Sequence, residues 1–269
     1  MSDHPLDAAI ALSPQGEHTS RGRTSAAYAN MIGPFGGITA AQALNAVLQH
    51  PELLGEPIAL TVNFAAALAD GEFEVTARPA RTNRSTQHWI IEMRQGGATV
   101  LTATAVTAVR RETWSPPDPP MPEVARPHDV PLPLSRSGVE WVNRYETRFL
   151  EGGLPSTWDG SDLGHSRTRV WMRDSPPRVL DFASLTGIAD VFFPRIWLRR
   201  SLFVPVGTVS MTVYFHASAA ELQAIGEGFL FGQAEGQGFH NGYLDQKAQL
   251  WSEAGQLVAT SHQIMYFKE

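Results

Sequence analysis

Three polar side chains stand in stretches that are otherwise apolar: Asp190 in "GIADVFFP", Thr208 in "VGTVSMTVYF" and Gln263 in "LVATSHQIMYF". An ionised carboxylate accepts protons, and hydroxyl and carboxamide groups orient their neighbours by hydrogen bonds. Each residue also has a plainer reading. Asp190 falls near the end of an apolar helix, where the negative end of the dipole disfavours a carboxylate by about 0.3–1 kcal/mol. It is therefore either exposed at a fraying helix end or buried with hydrogen-bonding partners. Thr is common in strands, so Thr208 says little alone. Gln263 falls where a sequence repeat, described below, has Val106. An amide there needs partners or an exposed face, because an unpaired buried polar group costs about 1–3 kcal/mol. Strand alternation puts Ser261 and Met265 on its face and His262 on the other.

Other chemistries lack their residues. The 269 residues include no cysteine, which excludes disulfides, thiolate nucleophiles and Cys-based metal sites. There is no G-x-S-x-G elbow, no H-E-x-x-H pair and no Walker A loop. "GEGFLFG" and "GQGFHNG" miss the dinucleotide-binding spacing and read as turns and strand bulges. His88, His216, His240 and His262 read as surface or satisfied core residues. No metal and no cofactor is expected. A net charge of −6 with a pI near 5.8 carries no nucleic-acid footprint. No apolar run approaches the ~18 residues of a membrane helix. No Lys or Arg precedes the first apolar run, as a secretory signal would require. A soluble, cytoplasmic protein is expected.

The elements that must carry these residues come in two sets. Eight of the 19 prolines fall between Pro116 and Pro133, which marks a linker over 116–134. It divides the chain into halves 1–115 and 135–269. Each half has a strand ending "TVNF" or "TVYF", then further strands, with a last pair joined by "RQGGA" or "SEAGQ", both hairpin signals. Each also has a helix apolar on all sides, hence buried: "GGITAAQALNAVLQH" and "DFASLTGIADVFF". Asp181 is the expected N-cap of the second helix and Pro194 its stop. The position matching Asp190 in the first helix is near Val47. The expected class is α+β, with two antiparallel sheets each wrapping a buried central helix, a double hotdog. Fusing two such units pairs sheet edges that would otherwise be exposed.

The ordered set of helix Asp, strand Thr and last-strand Gln resembles the acyl-CoA thioesterase II family of double-hotdog thioesterases. "IAD" with Asp190, Thr208 ahead of "YFH", "LVATSHQ" ending in Gln263, and "FGGITAAQAL" at 35–44 carry the likeness. It spans most of the chain outside the linker. "SMTVYFHASA" keeps only Phe215 and His216 of the corresponding family stretch. The resemblance implies hydrolysis of an acyl-CoA thioester, with Asp190, Thr208 and Gln263 jointly holding a water. Asp190 would serve as general base, and the other two would orient the water and the carboxylate. Gly36 and Gly37 open a helix whose N–H groups could face a developing oxyanion. Phe192, Phe193 and Trp197 are candidates for an acyl slot, or plain core. One active site per chain is expected if only the second half keeps Asp and Gln. The partner would be an acyl-CoA, and exposed edges imply a homodimer or larger homo-oligomer. A hotdog hydratase would need a D-x-N-x-x-H-like spacing, which is missing. A double hotdog that binds acyl groups without catalysis is the other alternative.

Overall fold

The computed structural model describes residues 4–116, 120–132 and 137–269. The boundary expected at 134/135 lies outside the described residues. The first half carries α1 (Pro5–Ile10), β1 (Ser13–Pro14), β2 (Thr19–Arg23), α2 (Gly36–Leu48), β3 (Glu56–Phe64), β4 (Glu72–Thr82), β5 (Thr86–Gln95) and β6 (Ala98–Ala108). The second carries β7 (Tyr145–Glu151), β8 (Thr168–Asp174), α3 (Phe182–Ile188), α4 (Ile196–Arg199) and β9 (Val206–Phe215). There follow α5 (Ala219–Ile225), β10 (Leu230–Glu235), β11 (Phe239–His240), β12 (Tyr243–Ser252) and β13 (Leu257–Phe267).

The strands run β1-β2-β4-β5-β6-β3-β9-β13-β12-β10-β8-β7, with β11 beside β12. Read outward from the centre, the two halves have the same order. The two sheets expected from the sequence are thus joined into one. The "TVNF" and "TVYF" strands, β3 and β9, pair antiparallel at the junction, and the Thr61 and Thr212 hydroxyls meet there at 3.0 Å. Edge pairing satisfies backbone groups that two separate sheets would leave open. The "RQGGA" hairpin turns on Gly96 and Gly97, both at positive φ, as a two-residue turn requires.

Residues 37–47 of α2 are buried without a break. Its two amides are not wasted in that setting. Gln42 Nε2 donates to the Ala9 carbonyl at 2.8 Å and Asn45 Nδ2 to that of Ile10 at 2.7 Å. They satisfy carbonyls at the end of α1, a helix the sequence reading missed. α3 is buried throughout and is capped as expected, with Asp181 accepting from the Ser184 N–H at 2.8 Å. It is shorter than expected. The chain tightens after Ile188 into i→i+3 bonds, from Asp190 N–H to Gly187 and from Val191 N–H to Ile188. Asp190 therefore sits in a turn beyond the helix, not in its last turn, and Pro194 is not what ends it.

The expected linker is partly a packed strap. The Ala125 carbonyl accepts from Trp171 Nε1 at 2.8 Å. Val130 is buried with Trp171, Phe229, Phe231 and Trp251 on the outer face of the second-half sheet. Pro117, Pro119 and Pro133 lie outside the described residues.

Arg110, just past β6, fastens the junction of the halves. Its guanidinium donates to the Phe215 and His216 carbonyls of the second half at 3.0 Å each, and to Pro57 of the first at 2.9 Å. Arg110→Ala should leave these carbonyls short of partners and cost about 1–3 kcal/mol. Thermal unfolding should show a single transition shifted down by several degrees.

Candidate active site

β13 brings three consecutive inward positions against the turn after α3. Ser261 Oγ donates to the Ala189 carbonyl at 3.3 Å. Two residues on, Gln263 Nε2 donates to Asp190 Oδ1 at 2.7 Å. Met265 follows, buried. His262 points the other way, is exposed, and bonds Asp245 at 3.1 Å. The face assignment from alternation therefore holds, and both Asp190 and Gln263 are buried rather than exposed. Ser261 is thus a positioning contact for the turn that carries Asp190. Its shared face with Gln263 was the sequence signal for this contact.

Thr208 reaches the same group through an irregularity. Simple alternation along β9 would put it opposite Met211, away from Gln263. The β9–β13 register slips between Ile264 and Met265, so Val209 is the extra residue and is exposed. The bulge turns Thr208 inward. Its hydroxyl then donates to Gln263 Oε1 at 3.4 Å. The contact runs Thr208 to Gln263 to Asp190, so Thr208 fixes the amide rather than the carboxylate.

The other half supplies the remaining partner. Asp190 accepts a hydrogen bond from the Gly37 backbone N–H, at the start of α2. A Cβ on Gly36 would lie 2.9 Å from Asp190 Oδ2, and one on Gly37 2.8 Å from the Gly187 carbonyl oxygen. Only glycines allow the turn after α3 to approach the first turn of α2 this closely. The helix N-terminus also offsets part of the charge that the end of α3 disfavours. Burial pushes the Asp190 carboxyl up to about 7; the Gln263 and Gly37 hydrogen bonds pull the other way. The site thus holds a carboxylate poised near neutral pH, with two donors fixing its direction and lone pairs left to accept a proton.

The remaining expected residues are less tightly gathered. Phe192 is buried in the main core, its ring and Met172 lying over Gly232. Phe193 packs with Ile196, Trp197, Leu244 and Met265 in a separate cluster. The buried Arg195, which the sequence reading did not single out, donates to the Phe193 carbonyl at 3.0 Å and to Ser166 at 3.1 Å. Val47, expected to match Asp190, is fully buried apolar core. The match of Gln263 to Val106 was one residue off. Leu60, just before "TVNF", pairs with Ala105, and Met211, just before "TVYF", pairs with Gln263. Ala105 is the structural counterpart, and Val106 points outward.

A second buried carboxylate, Asp174 on β8, was also missed. Burial raises it to about 6, and it accepts from the Ser184 hydroxyl. Far from Asp190 in the fold, at the end of α2, His18 Nδ1 and His50 Nε2 lie 2.9 Å apart, with Glu52 beside them. His50 Nδ1 accepts the Glu52 N–H at 3.2 Å, so the His50 proton stays on Nε2, toward His18. Ring-to-ring hydrogen bonding accounts for this group without a metal.

Comparison with known proteins accords with this arrangement. The pattern of the acyl-CoA thioesterase N-terminal domain matches residues 25–108, and that of the acyl-CoA thioesterase C-terminal domain matches residues 117–267. A conserved protein of unknown function with a hot dog fold, from Alicyclobacillus acidocaldarius, is 44% identical. The alignment covers 100% of this chain and 99% of that one, with a TM-score of 0.93. A putative thioesterase II from Thermobifida fusca has the same fold at 18% identity, with both chains covered to 100% and a TM-score of 0.82. An acyl-CoA thioesterase II from Mycobacterium marinum aligns at 16% identity over 98% of each chain, with a TM-score of 0.76. No curated protein matches. With both domain patterns matched in order along most of its length, the chain belongs to the acyl-CoA thioesterase family.

Proposed function

We propose that this protein is a double-hotdog acyl-CoA thioesterase that hydrolyses an acyl-CoA to the free acid and CoA at a single site around Asp190. The observation that carries the reading is the 2.7 Å hydrogen bond from Gln263 to a buried carboxylate at the N-terminus of α2. Asp190 takes a proton from a water as that water attacks the thioester carbonyl carbon. The tetrahedral intermediate then expels the thiolate, and the proton passes to the leaving sulfur. Gln263, braced by Thr208, holds the carboxylate in one orientation, which reduces the entropy lost on reaching the transition state. Gly37 already donates to Asp190, so the Gly36 and Ile38 N–H groups are the first-turn donors left for the oxyanion. Asp190 bonds to an amide and a backbone N–H, with no histidine, which favours hydrolysis over the Asp–His chemistry of a hydratase.

Thiol release from a panel of acyl-CoAs should be seen for the wild type and should fall by at least about 10²-fold in Asp190→Asn. Undiminished release by the variant would remove Asp190 from the mechanism. Release from none, with acyl-CoA still bound, would make the protein a binder.

The base must be ionised to act. The kcat/KM profile should therefore rise with pH through about 7. Stability has the opposite slope. The folded-state value lies above the ordinary 3.8, so the contribution of Asp190 to stability is full below that value and is lost as pH rises through about 7. Asp190→Asn cannot ionise. Its Tm should exceed that of the wild type at pH 8, with the gap closing toward pH 5.

Gly36→Ala tests the close approach of the two halves. Alanine is the better helix former by about 1 kcal/mol, yet its methyl would lie 2.9 Å from Asp190 Oδ2. A drop in kcat/KM of at least about tenfold, with Tm held to within a few degrees, is expected.

A further inference from the structure

Gln246 is fully buried, and neither its Nε2 nor its Oε1 has a hydrogen-bond partner. Among the described residues it is the only side chain with two orphaned polar atoms; Tyr28, Tyr145, Asp174 and Trp251 each have one. Buried amides are otherwise paired. The amide facing it across the sheet, on Gln263, is already bonded to Asp190 and Thr208. Leu244 and Ala248, its same-face neighbours along β12, are buried and apolar, as is Met265 on β13.

Its place explains why such a group is tolerated. Gln246 stands directly opposite Gln263 across β12 and β13. Directly opposed residues share a face, with Cβ atoms about 4.5–5.5 Å apart. In the first half, the counterpart of Gln263 is Ala105, and Ala105 stands opposite Trp89. So Trp89 is the counterpart of Gln246. Trp89 is buried, and its Nε1 donates to Thr107 at 3.2 Å. The first half closes this layer with a satisfied indole. The second half, which carries Asp190, replaces that indole with an unsatisfied amide.

The geometry points to Gln246 as a substrate-binding residue that selects acyl groups carrying a hydroxyl on carbon 3. This rests on the thioesterase reading above. A thioester carbonyl held at Asp190 would lie beside Gln263, and carbon 3, two bonds further along the acyl chain, would come within reach of the residue opposite Gln263 on β12. An amide with both donor and acceptor free is matched by a hydroxyl, which accepts from Nε2 and donates to Oε1. A keto oxygen matches only the donor. A saturated chain matches neither and leaves the amide orphaned in the complex.

The test compares butyryl-CoA with both enantiomers of 3-hydroxybutyryl-CoA, and octanoyl-CoA with 3-hydroxyoctanoyl-CoA, for wild type, Gln246→Met and Asp190→Asn. One enantiomer of the 3-hydroxy substrate should be preferred by at least about tenfold in kcat/KM, the size of one good hydrogen bond. That ratio should fall about tenfold in Gln246→Met. The Tm of Gln246→Met should equal or exceed that of the wild type, because methionine fills the site without an unpaired amide. A purely structural Gln246 would instead lower Tm and slow all substrates alike. Saturated acyl-CoAs hydrolysed through Asp190 with a wild-type ratio near one would overturn the Gln246 assignment and leave the thioesterase reading intact. If no thioester is hydrolysed, the thioesterase reading fails, and the assignment with it.

Discussion

The arrangement depends on one buried carboxylate shared between the two halves of the chain. Asp190 comes from the second half, as does the Gln263 amide that holds it at 2.7 Å, but its backbone donor is Gly37 of the first. Each half supplies one donor to this group. A carboxylate removed from water needs several donors, and the end of α3 offers only carbonyls. The N-terminus of α2 faces it and has N–H groups to spare. The glycine pair at 36 and 37 is the local condition for that meeting, since a side chain at either position would enter Asp190 or the Gly187 carbonyl.

The two halves share a strand order and differ in what fills it. At one layer, the first half packs Trp89 against Ala105, and the second places Gln246 opposite Gln263. The backbone pairing is the same, so the difference lies in side chains alone. The first half gains apolar burial and a satisfied indole there. The second gives up that packing for polar groups aimed at the inner face. Local stability has been traded where chemistry is proposed, as expected of a functional site on a repeated scaffold.

Much of this was legible in the sequence. The two-fold repeat was visible in "TVNF" and "TVYF", and the paired hairpins in "RQGGA" and "SEAGQ". All-round apolar helices announced α2 and α3. Ordered polar residues in apolar stretches pointed to Asp190 and Gln263. What failed was register. The loop joining β12 to β13 is one residue longer than the loop joining β5 to β6, since Trp251 pairs with Leu257 but Arg94 with Thr99. Such an insertion leaves no mark in composition, so counting along the repeat pairs Gln263 with outward-facing Val106 instead of Ala105. The β-bulge at Val209 turns Thr208 inward against simple alternation. Gln246, between Asp245 and Lys247, has the sequence setting of an exposed strand position, and only its cross-strand pairing with Gln263 shows that it faces inward. The joining of two sheets into one also rests on pairing across 150 residues, which local periodicity does not encode.

Burial of Asp190 has a consequence for how the halves are coupled. Its raised pKa means that ionising this carboxyl weakens the folded state it sits in. The strain falls on the contact between the α3 turn and the α2 N-terminus, where first-half and second-half elements meet. Elsewhere the junction is fastened by the β3–β9 ladder, the Thr61–Thr212 pair and the Arg110 guanidinium spanning carbonyls of both halves. The sheet therefore fixes the relative position of the halves, and the helix contact carries the buried carboxylate. A single hotdog unit dimerising through its edge could supply the same contacts, but with two equivalent sites. Fusion lets the two halves differ, so that the first has Ala105 in its core where the second has Gln263.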